Sequence, residues 1–170
     1  MSSLVDLLRA SARAYGTHAA VVFQNRTTTH AEFDRLTDRV AAGLAARGIA
    51  PGDRVGLYCI NSDVFALAYF GILKAGATVV PVNLLLTPRE VAYILHDAGV
   101  KGLLYFEAFV DAVKAVKPQV PSLTLQVCIG QANPLKDVLW PELLAPGAAV
   151  PQPAISADDL AAILYTSGTT

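Results

Sequence analysis

Four short apolar runs punctuate the chain: Val55 to Ile60, Thr78 to Val82, Gly102 to Phe106 and Leu123 to Ile129. Between them lie segments in which apolar residues recur at helical spacing. Strands rich in Val, Ile and Leu, separated by helices, predict a largely parallel sheet with helices packed on both faces. The fold class expected is therefore α/β.

Local signals place the helices within this pattern. Leu4, Leu7 and Leu8 mark a first helix that closes near Gly16. Ala19 to Gln24 and Thr27 to Thr29, joined by Asn25-Arg26, read as a short hairpin. Thr29-His30-Ala31-Glu32 and Thr87-Pro88-Arg89-Glu90 each have the form of a capping box, in which a hydroxyl and a carboxylate reciprocally satisfy orphan backbone N–H groups. The first opens a helix with the stripe Phe33, Leu36, Val40 and Leu44. The second carries Val91, Ile94 and Leu95 on one face, with Pro88 where its missing N–H costs nothing. Pro51-Gly52-Asp53 is a turn. Ser62 is placed to cap a helix that is apolar nearly all round and so is expected to be buried on most sides. Gly76 is suited to end it in the left-handed conformation, and Pro81 belongs at the end of a strand rather than in its middle. From 131 to 153 five prolines mark an irregular, Pro-rich connector with one helical piece, "LKDVLWPELL". Leu160 to Tyr165 reads as a final strand.

Composition narrows the function classes. Hydrophobic residues make up 54% of the 170 and charged residues 16%, fewer than the roughly 25% charged of an ordinary soluble domain. Even so, the most apolar stretch, Val64 to Leu73, is about half the roughly 20 residues that cross a bilayer, so no transmembrane segment is expected. With no basic stretch before an apolar one from Met1 onward, no secretory signal is expected either. The better explanation is an apolar face that other protein covers, with self-association of the chain through that face as a corollary. Net charge is −1, and Lys and Arg are scattered without a basic stripe, which argues against nucleic acid. Cys59 and Cys128 lie inside apolar runs and read as reduced, buried thiols of a cytoplasmic protein. His18, His30 and His96 lack metal-ligand spacing, and no metal site is expected.

The chain ends in Thr166-Ser167-Gly168-Thr169-Thr170, at what would be the carboxyl end of a strand. Ligands of open α/β sheets sit beyond such ends. Four hydroxyls and a glycine are what a polyphosphate needs: Gly168 lets consecutive N–H groups approach closely, and the hydroxyls donate to phosphate oxygens. From these residues alone, an ordinary hydroxyl-rich turn is the commoner reading. The segment is not the G-x-x-x-x-G-K-[ST] loop, since it has no Lys.

Tyr165 to Thr170 resembles the opening of the phosphate loop Y-T-S-G-T-T-G-x-P-K-G of the adenylate-forming superfamily. The resemblance extends along the chain. "LKAGATVVPVN" (Leu73 to Asn83) is similar to that family's L-K-A-G-A element. "TTTHAEFDRLTDRVAAGLAARGIAPGDRV" (Thr27 to Val55) is similar to its T-Y-x-E-L…G-[IV]-x-x-G-D-x-V segment, with His30 where Tyr is usual and Phe33 where Leu is usual. "NLLLTPREVAYILHDAGVKGLLY" (Asn83 to Tyr105) follows its N-x-x-x-x-x-x-E-[ILV]-x-x-x-L-x-D pattern.

This resemblance implies that residues 1–170 are the N-terminal part of an AMP-binding (adenylation) domain, cut within the phosphate loop. It implies an acyl-CoA synthetase that uses ATP, Mg²⁺ and coenzyme A to convert a carboxylic acid, a fatty acid first, into acyl-AMP and then a thioester. Thr166, Ser167, Gly168, Thr169 and Thr170 would contact the ATP phosphates, and no residue of the chain matches a catalytic position of the family. An aryl-CoA ligase or another adenylating enzyme is the alternative within the family. Outside it stand a non-catalytic interaction module and an unrelated α/β nucleotide-binding domain, the latter lacking any G-x-G-x-x-G after an early strand. The fragment alone is expected to be inactive and to bind nucleotide weakly.

Overall fold

The computed structural model describes residues 2–145, 147 and 149–166. Along the chain run α1 (Leu4–Tyr15), β1 (Ala19–Phe23), β2 (Arg26–Thr29), α2 (His30–Ala45), β3 (Arg54–Tyr58), α3 (Asp63–Lys74), β4 (Thr78–Pro81), α4 (Pro88–Asp97), β5 (Val100–Phe106), α5 (Val110–Val116), β6 (Leu125–Ile129), β7 (Val138–Leu139) and α6 (Trp140–Leu143). β1 and β2 form an antiparallel hairpin. The other five strands make one parallel sheet in the order β4-β3-β5-β6-β7, as the apolar runs predict.

Alternation along the strands divides the core in two. Val55, Leu57, Val79, Leu104 and Val127 point to the face covered by α1, α2, α3 and α6. Their neighbours Tyr58, Val80, Leu103, Tyr105 and Cys128 point to the face covered by α4 and α5. Both faces are apolar because both are covered, which is why these strands read as continuous apolar runs. At Gly56 a Cβ would stand 2.9 Å from side-chain carbons of both Leu95 and Leu103. The glycine is what lets α4 lie close on that face.

Most helix ends follow the local signals. Ser62 Oγ accepts from Phe65 N at 3.2 Å, and Gly76 has φ +76°. At Thr87, Oγ1 accepts from Glu90 N at 3.4 Å while Thr87 N donates to Glu90 Oε2 at 2.7 Å, so that box is complete. The box at Thr29 is only half made. Its Oγ1 accepts from Glu32 N at 3.3 Å, but Glu32 returns no bond. Thr29 ends β2 opposite Ala19, and the Glu32 carboxylate is exposed to water. α3 is buried or half-buried along its whole length, as its all-round apolar character predicts.

The segment expected to be an irregular connector supplies the fifth strand as well as the helix α6. Val138 and Leu139 pair with Val127 and Cys128. A two-residue strand is too short to show a period, and side chains fix it. Asn133 brackets Asp137, accepting from its N at 3.0 Å and donating to its O at 2.6 Å. Asp137 in turn accepts from the Tyr105 hydroxyl at 2.9 Å and Lys117 Nζ at 3.1 Å. Burial first, then the Asp137 carboxylate, push the Tyr105 phenol far above its ordinary range. Upstream, Glu107 accepts from Ala132 N and Gln131 N, each at 2.6 Å, and these two bonds hold its carboxyl below the ordinary glutamate value.

α2 and α3 meet with little between them. A Cβ on Gly71 would fall 2.4 Å from Val40 Cβ. At the end of α3 the Lys74 side chain, 1% exposed, places Nζ 2.6 Å from Asp34 Oδ1, 2.7 Å from Asp38 Oδ1 and 2.7 Å from the Asp34 carbonyl. The two carboxylates stand one helical turn apart on α2, so a single ammonium reaches both.

Candidate functional site

The strand order reverses at β3: α3 leads from β3 outward to β4 on one face, and α4 leads back past β3 to β5 on the other. Such a switch point is a common ligand crevice. In this chain Tyr58, at the end of β3, stacks on Phe109 with ring centroids 4.3 Å apart, and aromatic packing occupies the crevice. The predicted phosphate segment leaves the sheet instead at the outer edge, beside β4.

Leu160 to Tyr165 is not a full strand. It makes one parallel bridge, Ala162 opposite Val79, in which Val79 N donates to Ala161 O at 3.0 Å and Ile163 N donates to Val79 O at 2.9 Å. β4 itself sets this limit. The next donor on that edge is Pro81, which has no N–H, and the preceding one, Ala77 N, is already bonded to Ile72 O at 3.1 Å. Thr78 Oγ1 adds a bond to Leu160 O at 2.8 Å. The segment still runs parallel to the sheet, so Thr166 emerges beyond its carboxyl edge, where the sequence predicts it. Thr166 is exposed; Ser167, Gly168, Thr169 and Thr170 lie outside the described residues.

Two cavities flank the segment at this edge, and Tyr165 separates them. One, of about 450 Å³, is lined by Asn83, Arg89, Glu90, Tyr93, Tyr165 and Thr166 among others. Arg89 brings a guanidinium, Asn83 an amide and Thr166 a hydroxyl, a donor set that suits an anion. Glu90 is committed to the helix cap, and the bonds from Thr87 hold its carboxyl below the ordinary value. The other cavity, of about 510 Å³, is apolar on one side, where Phe65, Val82, Leu85 and Leu164 meet. Leu85 is 92% exposed and Leu164 70%. Large apolar side chains are exposed at this edge as they also are on α1 and the hairpin, where Leu7 is 54% and Val22 68% exposed.

Tyr165 also reaches sideways: its hydroxyl donates to Asp97 Oδ2 at 2.5 Å. Burial, followed by that carboxylate, pushes the phenol up to about 12. Sequence reading missed Asn83, Arg89, Tyr93 and Asp97. Arg89, Tyr93 and Asp97 are spaced by four on α4 and share its solvent side, a stripe that reads in the sequence as an ordinary exposed face. The other singled-out residues take structural roles. Asp53 accepts from Ala50 N and Lys101 Nζ, both at 2.7 Å. Cys59 and Cys128 are buried free thiols, and burial pushes Cys59 up to about 11. Among the described residues no group of three His, Cys, Asp or Glu side chains is arranged to hold a metal, and no helix is long and apolar enough to cross a membrane.

Comparison with known proteins places this architecture. The chain is 38% identical over 143 residues to the long-chain-fatty-acid–CoA ligase FadD13 of Mycobacterium tuberculosis, an alignment covering 84% of this chain and 27% of that protein. It is 34% identical over 176 aligned positions to the fatty acid–acyl-carrier-protein ligase ScoC of Streptomyces coeruleorubidus, covering 100% of this chain and 31% of the relative. The crystal structure of the anthranilate CoA ligase AuaEII in complex with anthranoyl-AMP superimposes with a TM-score of 0.87 at 26% identity, covering 99% of this chain and 33% of that one. The chain thus spans about a third or less of the length of these relatives. The profile of the AMP-binding enzyme family matches residues 8–170, which takes in the sheet, both helical layers and the hydroxyl-rich segment at its edge. The chain belongs to the AMP-binding enzyme family.

Proposed function

We propose that these residues form the N-terminal part of the adenylation domain of a longer enzyme, an ATP-dependent acyl-CoA ligase acting on a fatty acid. The observation that carries this reading is the position of Thr166. In a chain that matches the AMP-binding family, it stands beyond the carboxyl edge of a parallel sheet and opens Thr-Ser-Gly-Thr-Thr. In the proposed reaction the acid's carboxylate attacks the α-phosphorus of ATP, pyrophosphate leaves, and the acyl-AMP so formed carries AMP as the group that a thiol displaces. Thr166, Ser167, Gly168, Thr169 and Thr170 hold the phosphates of ATP while pyrophosphate departs, a positioning and electrostatic task rather than a proton transfer. Coenzyme A as acceptor and a fatty acid as substrate follow the name of the FadD13 relative. Among the described residues no three His, Cys, Asp or Glu side chains are grouped to hold Mg²⁺ by themselves; the ion expected with ATP would travel on its phosphates, and no step is assigned to it.

The test is ATP–pyrophosphate exchange by the polypeptide of the complete reading frame, against fatty acids of graded length and a set of aryl acids. Exchange that depends on a fatty acid, and that falls about tenfold or more when Thr169→Ala removes one charge-assisted hydrogen bond, is the expected result. Dependence on aryl acids alone would move the substrate to the aryl-CoA class. Absence of exchange with every acid overturns the reading.

The apolar edge at Leu85 and Leu164 is covered, on this reading, by further residues of the longer enzyme, and the 170-residue chain alone uses it to associate with a second copy. Sedimentation should then show concentration-dependent association that Leu85→Lys with Leu164→Lys abolishes. A sharp monomer of the unmodified chain at high concentration would contradict it.

A further inference from the structure

Ile163 N is the last backbone group of the terminal segment bonded to the sheet among the described residues. Beyond it, the tie that holds the segment is a side chain: the Tyr165 hydroxyl on Asp97 Oδ2, two residues past Ile163 and one before Thr166. What Asp97 stands on is rigid. α4 is closed at its start by the Thr87–Glu90 box and lies on the sheet through Val91, Ile94 and Leu95, all buried. Its end is clamped: Ala98 N bonds to Ile94 O, while the Arg54 guanidinium of β3 donates to Ala98 O at 2.8 Å and to Gly99 O at 3.0 Å. A chain of contacts therefore runs from β3 through the end of α4 to the residue that precedes the hydroxyl-rich segment.

The placement of Asp97 runs against the interest of its own helix. A carboxylate in the last turn opposes the helix dipole, which favours cations there, and Asp is a poor helix former compared with Ala. Its hydrogen bond to Tyr165 gives that unfavourable charge a partner 68 residues away in sequence. With the phenol pushed up to about 12, the hydroxyl stays protonated, and so a donor, across the neutral range.

We propose that Asp97 is a positioning residue for Thr166, holding through the Tyr165 hydroxyl the point at which the chain leaves the sheet, and thereby setting affinity for ATP. The inference rests on the adenylation reading for its ligand but not for its geometry. Asp97 touches no phosphate itself. It removes freedom from the residue before the segment, and ordering a residue costs about 1–2 kcal/mol of conformational entropy.

Two measurements test it. In pyrophosphate exchange by the polypeptide of the complete reading frame, Asp97→Ala and Tyr165→Phe should each raise the KM for ATP about tenfold, as for loss of one hydrogen bond to a charged group. The KM for the acid should stay where it is. The double variant should be no worse than either single one, and Asp97→Asn, which keeps an acceptor, should recover part of the loss. A merely structural role would instead lower the melting temperature of Asp97→Ala and shift the KM for the acid along with that for ATP, whereas removing a carboxylate that opposes its own helix leaves the melting temperature unchanged or raised. An ATP KM within about twofold of the unmodified enzyme, or single effects that multiply in the double variant, overturns the proposal. The second measurement needs no activity and separates this proposal from the adenylation reading. In the 170-residue chain, the NMR signal of the Tyr165 ring, identified by its loss in Tyr165→Phe, should titrate nearer the ordinary tyrosine value of 10.0 in Asp97→Ala, with faster amide exchange at Tyr165 and Thr166. If the enzyme shows no exchange but these signals move, the adenylation reading fails and the positioning contact stands. If they do not move, the positioning contact fails whatever the activity.

Discussion

Replacing Asp34 and Asp38 together by alanine is expected to cost about 3–5 kcal/mol of folding stability, the range for breaking a buried ion pair from one side. Lys74 is 1% exposed, while its two partners are 27% and 30% exposed. The asymmetry decides which deletion hurts. Without the carboxylates, the ammonium keeps only the Asp34 carbonyl at 2.7 Å and remains a buried charge. Lys74→Met should cost less than the double alanine change, because it removes the buried charge, roughly conserves volume and leaves two carboxylates that water already reaches. Adding Lys74→Met to the double variant should then return much of the lost stability. Denaturant unfolding of the four proteins measures this directly, and each kcal/mol should appear as roughly 2–4 °C in the melting temperature. A triple variant no more stable than the double one would show that the loss comes from packing on α2 and not from the stranded charge.

The second large effect is at Gly71, in the C-terminal half of α3. Alanine at a glycine in an exposed helix is ordinarily worth about 1 kcal/mol in favour of alanine. At this position the sign should reverse. The added Cβ would meet Val40 Cβ and Cγ1 at 2.4 Å, and Val40 is fully buried on α2 with no room to turn aside. Overpacking of this kind typically costs about 1–3 kcal/mol, and the contact with a Cβ, which no rotamer change can move, places the expected loss toward the upper end. Val40→Ala in the same protein removes the γ-carbons and should recover part of it. Equilibrium unfolding would refute the account if Gly71→Ala were neutral or stabilising, since the helices would then have space to slide apart. The same contact matters for the site, because α3 leads directly into Gly76 and β4, the strand on which the terminal segment is built.

Much of this architecture was legible beforehand, and for a common reason. The caps at Ser62 and Thr87, the left-handed Gly76 and the helical stripes of α2 and α4 all depend on groups within four residues of one another. Pro81 carried more information than its reading as a strand end extracted: the N–H it lacks is the one that would have extended the Ala162 bridge into a strand. The half-made box at Thr29 shows the converse. Its spacing was right, but the exposed Glu32 carboxylate makes no return bond to Thr29.

What the sequence determined by itself was therefore the alternation of elements, their ends, the parallel sheet with two covered faces, and a hydroxyl-rich segment leaving the carboxyl edge. Tertiary structure decided the rest: that Lys74 is buried between Asp34 and Asp38, that Val138 and Leu139 become a strand once Asp137 is held by Tyr105 and Lys117, and that Asp97 meets Tyr165. Those partners are 40, 32 and 68 residues apart for Lys74–Asp34, Tyr105–Asp137 and Tyr165–Asp97. Local hydrogen bonds and hydrophobic period act over a single turn or strand and leave their pattern in neighbouring residues. A contact between distant residues is set by which faces the packed layers bring together, and a charged or aromatic residue that will make one looks in the sequence like any other on an exposed face.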